Sequence, residues 1–275
     1  MHAGMYTWTD PALGVSPTDF EATGVDGETV GLRWFTKDGA VSEAAVVYLH
    51  GGGVIVGSID DSAFRIAEYV RSTGVAVLAV EYRLAPEHPH PTPVEDCFAG
   101  LSWLVEHASE LGADSARVAV MGESAGGGLA AGVALLARER GVALARQILV
   151  HPMLDDRTTA PDPELVPFGV WNYDMNFTGW NALLGDAVGT DAVPPSAAPA
   201  RASELSGLAP AYIEVGELDI FRDEDMEYAR RLAAAGVSVE FHVHPGCPHA
   251  FDGAAPDADV VARAMADRTR VLARL

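Results

Sequence analysis

The sequence has little lysine, little cysteine and no long apolar segment. Only Lys37 among its 18 basic residues is a lysine, and 39 acidic residues give the 275-residue chain a formal net charge of −21. Such a chain repels phosphate backbones and anionic lipid surfaces, so nucleic acids and membranes are poor candidate partners. An acidic surface with arginine in place of lysine is also compatible with adaptation to high salt.

Cys97 and Cys247 are the two cysteines, too few for a disulfide framework. No apolar run reaches the roughly 18 residues that a membrane span requires. The start of the sequence also lacks the basic and apolar regions of a signal peptide. We therefore expect a protein of the cytoplasm.

Apolar β-rich runs alternate along the chain with longer helical patterns. Runs such as "VAVLAV" are apolar at nearly every position, which is typical of strands buried on both faces. The pattern predicts one α/β domain over residues 1–275, with a mostly parallel sheet and helices on both faces. Residues 153–205 are rich in Pro, Asp and aromatics, and they predict an inserted helical cap with a short contribution from residues 1–25.

Ser124 lies in "GESAG", between an apolar strand and an alanine-rich helix. A sharp strand-to-helix turn leaves no room for β-carbons beside it, so Gly122 and Gly126 favour a nucleophile elbow. The turn also places the serine at the carboxyl edge of the sheet, where open α/β sheets bind ligands. Ser124 is therefore the candidate nucleophile.

A nucleophilic serine needs a histidine base, which in turn needs a carboxylate. In this fold the expected chain order is Ser, then Asp or Glu, then His, each after a strand. Asp219 and His249 satisfy that order, with Glu217 and Asp223 as rivals to Asp219. Asp223 lies at a predicted helix start, where capping is the simpler explanation.

Consecutive glycines after another strand predict an oxyanion hole. In "HGGGV" the backbone N–H groups of Gly51 and Gly52 can approach a developing negative charge without side-chain obstruction, and Ala125 offers a third donor. His50 is better placed to brace this loop than to act as a base.

Two other patterns suggest binding chemistry. "HVHPGCPH" contains His242, His244, Cys247 and His249, but with no second ligand cluster a metal site is disfavoured. A G-x-G-x-x-A match begins at Gly126, inside the predicted helix, so it does not indicate nucleotide binding. We expect neither metal nor cofactor.

These motifs together resemble the hormone-sensitive-lipase-like, bacterial family IV esterases of the α/β-hydrolase superfamily. The matching stretches are "HGGG" (50–53), "YRLAPEHPHP" (82–91), "GESAGG" (122–127), "DIFRDE" (219–224) and "PHAF" (248–251). The resemblance implies Ser124, Asp219 and His249 as a catalytic triad, cofactor-free hydrolysis of carboxylic esters and often a homodimer. Departures from the family pattern are Glu123 before the serine, Ile220-Phe221 after the acid, Ala250 after the histidine, and a shorter N-terminal region.

The expected substrates are small-molecule esters with short to medium acyl chains. Val54, Trp171, Tyr173 and Phe251 are the candidate pocket residues, although the aromatic residues of 153–205 fit a small core of the cap equally well. Two alternatives remain open: an amidase or deacetylase of the arylformamidase type with the same triad, and a non-catalytic small-molecule receptor on the same scaffold.

Overall fold

A single twisted sheet organises residues 14–275, the part of the chain that the computed structural model describes. Its strands are β1 (Val15–Thr23), β2 (Thr29–Lys37), β3 (Ala45–Leu49), β4 (Ala76–Glu81), β5 (Val118–Glu123), β6 (Arg146–Val150), β7 (Ala211–Gly216) and β8 (Val239–His244). They are ordered β1-β2-β4-β3-β5-β6-β7-β8. Strands β3 to β8 run parallel, and β1 and β2 are antiparallel to their neighbours. The predicted mostly parallel α/β sheet is confirmed.

Helices cover both faces because the central strands are apolar on both sides. The helices are α1 (Ile59–Thr73), α2 (Thr92–His107), α3 (Ala125–Arg140), α4 (Tyr173–Leu184), α5 (Arg222–Ala234), α6 (Phe251–Ala254) and α7 (Asp259–Leu272). Within β3, Val47 and Leu49 belong to the larger core cluster with α2 and α3. Val46 and Tyr48 belong to the smaller cluster with α1 and α7.

The first strand was not expected from the sequence. In β1, Phe20 and Ala22 pack on the larger core cluster opposite Leu32 and Val30 of β2, so the hydrophobic alternation is short. Val15, at the start of the strand, packs on the smaller cluster. Residues 15–23 are thus an edge strand of the sheet, which corrects the predicted contribution of that stretch to a cap. The rest of that predicted contribution, residues 1–13, lies outside the described residues.

The long insertion between β6 and β7 contains one regular helix, α4, and is otherwise mostly irregular. Asn172 caps α4 by accepting a hydrogen bond from the Met175 N–H at 2.9 Å. Trp171, Trp180 and Leu183 belong to the same core cluster as Val54, so the insertion packs onto the main core. Within residues 14–275, no helix combines the length and apolar character that crossing a bilayer requires.

Candidate active site

Ser124 lies in the tight turn between β5 and α3. Its backbone has φ 56° and ψ −121°, a strained conformation for a residue with a side chain. A β-carbon on Gly122 would lie 2.0 Å from the Gly126 carbonyl oxygen, and one on Gly126 would lie 2.1 Å from that of Leu49. Only glycine fits at the positions two residues before and two residues after the serine, as the sequence predicts.

Ser124, His249 and Asp219 form one hydrogen-bonded relay. The Ser124 Oγ lies 2.9 Å from His249 Nε2, and His249 Nδ1 lies 2.7 Å from Asp219 Oδ2. The second oxygen, Asp219 Oδ1, accepts a hydrogen bond from the Phe221 N–H at 3.0 Å. All three side chains are buried, and Asp219 is 1 % exposed. The carboxylate is therefore fixed in a position that holds the imidazole toward the serine.

The two rival carboxylates have other contacts. Glu217 accepts a hydrogen bond from the Gly246 N–H at 2.7 Å and so braces the loop that carries His249. Asp223 pairs with the adjacent Arg222 and has a side chain 77 % exposed. Neither contacts the imidazole, so the geometry favours Asp219 among the three.

The glycine loop after β3 lies beside the serine. A β-carbon on Gly51 would lie 3.5 Å from the Ser124 Cβ, and Gly52 has φ +116°, a conformation that favours glycine. Within the described residues the N–H groups of Gly51 and Gly52 donate no hydrogen bond. Ala125 is the first residue of α3, where the backbone N–H has no helical partner. The three predicted donors are therefore free to bind an oxyanion.

His50 braces this loop, as its position predicts. Its Nδ1 lies 2.7 Å from the Gly51 carbonyl oxygen, and its ring stacks on Tyr82 with centroids 4.2 Å apart. The Tyr82 hydroxyl donates to the His50 carbonyl oxygen at 2.8 Å. Burial lowers the pKa of His50. A neutral imidazole is the form that such an apolar position favours.

Residues 46–253 match a family model described as the α/β-hydrolase fold. The chain belongs to that family. Ethyl acetate hydrolase of Pseudomonas putida is 36% identical over 239 residues, which cover 85% of this chain and 75% of that protein. Carboxylesterase NlhH of Mycobacterium tuberculosis is 39% identical over 215 residues, 75% of this chain and 66% of that protein.

A solved structure titled bacterial heroin esterase has a TM-score of 0.92 at 41% identity, covering 97% of this chain and 86% of its own. The present chain spans about two thirds to three quarters of the length of the curated relatives named above. These relatives carry esterase names, and the resemblance predicted from the motifs is confirmed at the level of the family.

In this α/β-hydrolase, a second histidine packs against the one in the relay. His151 meets the His249 ring edge-on with centroids 4.6 Å apart, and Phe221 does so from another direction at 5.2 Å. Burial, together with the charge of His249, lowers the pKa of His151 to about 4. His151 is thus a neutral residue in the wall of the site.

A buried ion-pair network supports the loop that carries His249. Arg268 of α7 is fully buried and donates to Asp252 at 2.6 Å, to Glu214 at 2.9 Å and to the Tyr69 hydroxyl at 3.1 Å. Burial alone would raise the pKa of Glu214, but Arg268 and further hydrogen bonds hold it at about 2. Sequence analysis missed this network, although Arg268 stands on the apolar stripe of α7, where an arginine needs partners.

The four predicted pocket residues have different positions. Val54 is buried beside the glycine loop, and a β-carbon on Gly53 would lie 2.2 Å from the Trp171 ring. Tyr173 lines a pocket of about 320 Å³ together with Ile220, the residue after Asp219. Phe251 belongs to a separate core cluster with Cys247, so its assignment to the substrate pocket is corrected.

One group of possible metal ligands lies outside the relay. Glu240, His242 and Asp267 are the one set of this kind within residues 14–275, and Arg270 already donates to both carboxylates. The His242 and His244 rings share a face of β8, stacked with centroids 6.2 Å apart. His249 instead belongs to the relay with Asp219, so the histidines of "HVHPGCPH" are divided between two places.

Proposed function

We propose that this chain hydrolyses carboxylic esters of small molecules through an acyl-enzyme on Ser124. The observation that carries the proposal is the 2.9 Å contact between the Ser124 Oγ and His249 Nε2, at a strained turn beside unpaired glycine amides. The esterase names of the relatives, ethyl acetate hydrolase among them, support the same reaction class.

In the first half of the reaction, His249 Nε2 takes the Ser124 hydroxyl proton as the oxygen attacks the ester carbonyl. The carbonyl oxygen becomes an oxyanion bound by the N–H groups of Gly51, Gly52 and Ala125. Asp219 holds the imidazole in the required tautomer and stabilises the imidazolium. His249 then gives the proton to the leaving alkoxide, the C–O bond breaks, and the alcohol departs.

In the second half, His249 accepts a proton from water as the water oxygen attacks the acyl-serine carbonyl. The same three amides bind the second oxyanion. Collapse of that intermediate breaks the bond to Ser124, and the proton on His249 returns to the serine oxygen. The products are one carboxylic acid and one alcohol, and no cofactor takes part.

The first experiment compares hydrolysis of p-nitrophenyl acetate by the wild type and Ser124→Ala, each with and without EDTA. We expect kcat to fall by about 10⁵–10⁶-fold in the variant, with no effect of EDTA on the wild type. Activity that survives Ser124→Ala and disappears with EDTA would contradict the proposal and would point to a metal site at Glu240, His242 and Asp267.

A second pair of variants tests the acid. We expect Asp219→Asn to lower kcat by about 10⁴-fold, since the amide favours the wrong histidine tautomer. Asp223→Asn is the matched control, because its exposed side chain faces solvent, and its activity should stay at the wild-type level. A large loss in the control with a small loss in Asp219→Asn would assign the acid to Asp223 instead.

The homodimer and the cytoplasmic location stay predictions from the sequence.

A further inference from the structure

A small apolar cavity lies on the α3 side of Ser124. Its wall includes Val54, Ala125, Leu129, Met153, Trp180 and Leu183, and it encloses about 10 Å³. Ala125 directly follows the nucleophile, and Val54 directly follows the glycine loop. The cavity therefore adjoins the amides that bind the oxyanion in the proposed mechanism.

The volume limits what this cavity can hold. A cavity needs about 10–15 Å³ to accept one water molecule, which is close to the size of a methyl group. Its larger wall residues, Met153, Trp180 and Leu183, are each less than 5 % exposed. They belong to the main core cluster, and packed cores yield little to an added methylene. The cavity therefore has room for about one methyl group.

The position of His249 decides which half of the ester points toward the cavity. His249 must protonate the leaving oxygen, so the alcohol lies on the side of His249 and Asp219. On that side Ile220 borders the pocket of about 320 Å³, which is bounded by Val166 and Tyr173. With the carbonyl oxygen at the amides, the acyl chain is left to the cavity beside Ala125.

From this geometry we propose that the enzyme is specific for acetyl esters of larger alcohols, with Leu183 and Trp180 limiting the acyl chain to two carbons. The proposal rests on the function above and narrows the short to medium acyl chains expected from the sequence. One methylene too many in an apolar pocket changes kcat/KM by about 10–200-fold. Wild type should therefore hydrolyse p-nitrophenyl acetate at least about 10-fold better than the butyrate.

The test measures kcat/KM for the p-nitrophenyl acetate, butyrate and hexanoate series. Leu183→Ala removes three carbons from the wall, so the ratio of butyrate to acetate activity should rise at least about 10-fold. Phe177→Ala is the matched control on the same helix, with a side chain 55 % exposed, and it should keep the wild-type ratio. Trp180→Phe provides a second enlargement if Leu183→Ala does not fold.

The outcomes separate this proposal from the one on which it rests. Wild-type hydrolysis that depends on Ser124 and is as fast with butyrate or hexanoate as with acetate would overturn the acetyl limit alone. An unchanged ratio in folded Leu183→Ala and Trp180→Phe would do the same. Absence of any hydrolysis that depends on Ser124, across the whole series, would remove the proposed function itself. If neither variant folds, the wild-type profile alone decides.

Discussion

Glu123 and Ala125 stand on either side of one serine, yet they lie in opposite surroundings. Ala125 lines the apolar cavity of about 10 Å³ described above. Glu123 lines a pocket of about 300 Å³ on the other side, shared with His151, Arg65 and Asp252. The turn at Ser124 points its two neighbours in different directions, so one elbow separates an apolar side from a polar side.

The difference teaches that the two sides are held in place by different forces. On the apolar side, close packing fills the space, and shape alone restricts what enters. On the polar side, buried charges remain only because each has a partner: Tyr69 links Glu123 to Arg268, which also pairs with Asp252. The apolar side is therefore sensitive to changes in side-chain volume, and the polar side to the loss of a charged partner.

The largest expected effect is on the polar side. Arg268→Met removes the arginine that pairs with buried Glu214 and leaves Asp252 only its longer contact with Arg65, at 3.6 Å. We therefore expect a loss of about 3–5 kcal/mol in the free energy of unfolding. Urea unfolding measures it, with Arg230→Ala as control. Arg230 and its partner Glu227 are both more than half exposed, and that pair should contribute at most about 1 kcal/mol. Equal losses in the two variants would show that the polar side does not depend on its buried pairs.

A smaller effect should appear as pH dependence. The pKa of His151 is about 4 in the folded chain, below the ordinary value of about 6.5. Neutral His151 thus contributes stability that is complete above pH ~6.5 and is lost as the pH falls toward 4. Facing it are His249, Asp219, Asp252 and Arg268.

We expect His151→Phe to reduce the loss of unfolding free energy between pH 6.5 and 4 by up to about 3 kcal/mol. Carboxylates such as Glu214 still lose stability in acid, so part of the loss remains. Urea titrations at several pH values measure it, and a substitution at the exposed His88 serves as control. An unchanged acid profile in His151→Phe would mean that this histidine is not held neutral by the fold.

The smallest expected effect comes from the same substitution, glycine to alanine, made once on the apolar side and once on the polar side. A β-carbon on Gly128, which lines the apolar cavity, would lie 2.1 Å from the Met153 carbonyl oxygen. On Gly253, which lines the polar pocket, it would meet no atom within 4 Å. We expect Gly128→Ala to destabilise by about 1–3 kcal/mol and Gly253→Ala to change stability by less than about 0.5 kcal/mol. Thermal unfolding of the two variants measures the difference. A larger loss of stability in Gly253→Ala than in Gly128→Ala would contradict the prediction.

The sequence predicted the sheet well because strands buried on both faces, such as β5, are apolar throughout. Ser124 and the glycines beside it were predictable too, since a single turn imposes its residue types locally. Local spacing is less reliable for side-chain partners. Thr92 and Glu95 have the spacing of a capping box, yet α2 has no side-chain cap, and Glu95 pairs with Arg140. A carboxylate can pair with a residue that is distant in the sequence, so local spacing does not reveal its partner.

The same reason explains what sequence analysis missed. Arg268 and Glu214 lie 54 positions apart and meet only after α7 packs on the sheet. The size of the cavity beside Ala125 depends likewise on residues distant in sequence, because Trp180 of the insertion and Leu129 of α3 both line it. Chain order identifies chemical groups, whereas the volumes between them arise from tertiary packing.

Around the turn at Ser124, the residues that the fold requires differ from the residue that catalysis requires. The β-carbons excluded at Gly122 and Gly126 would collide with backbone oxygens whatever residue stood at position 124. The glycines are therefore required by folding, while Ser124 is required only by the proposed chemistry. A descendant that abandoned catalysis would keep the glycines and be free to lose the serine. In related sequences, the glycines then report common descent, and the residue between them reports whether the enzyme is still at work.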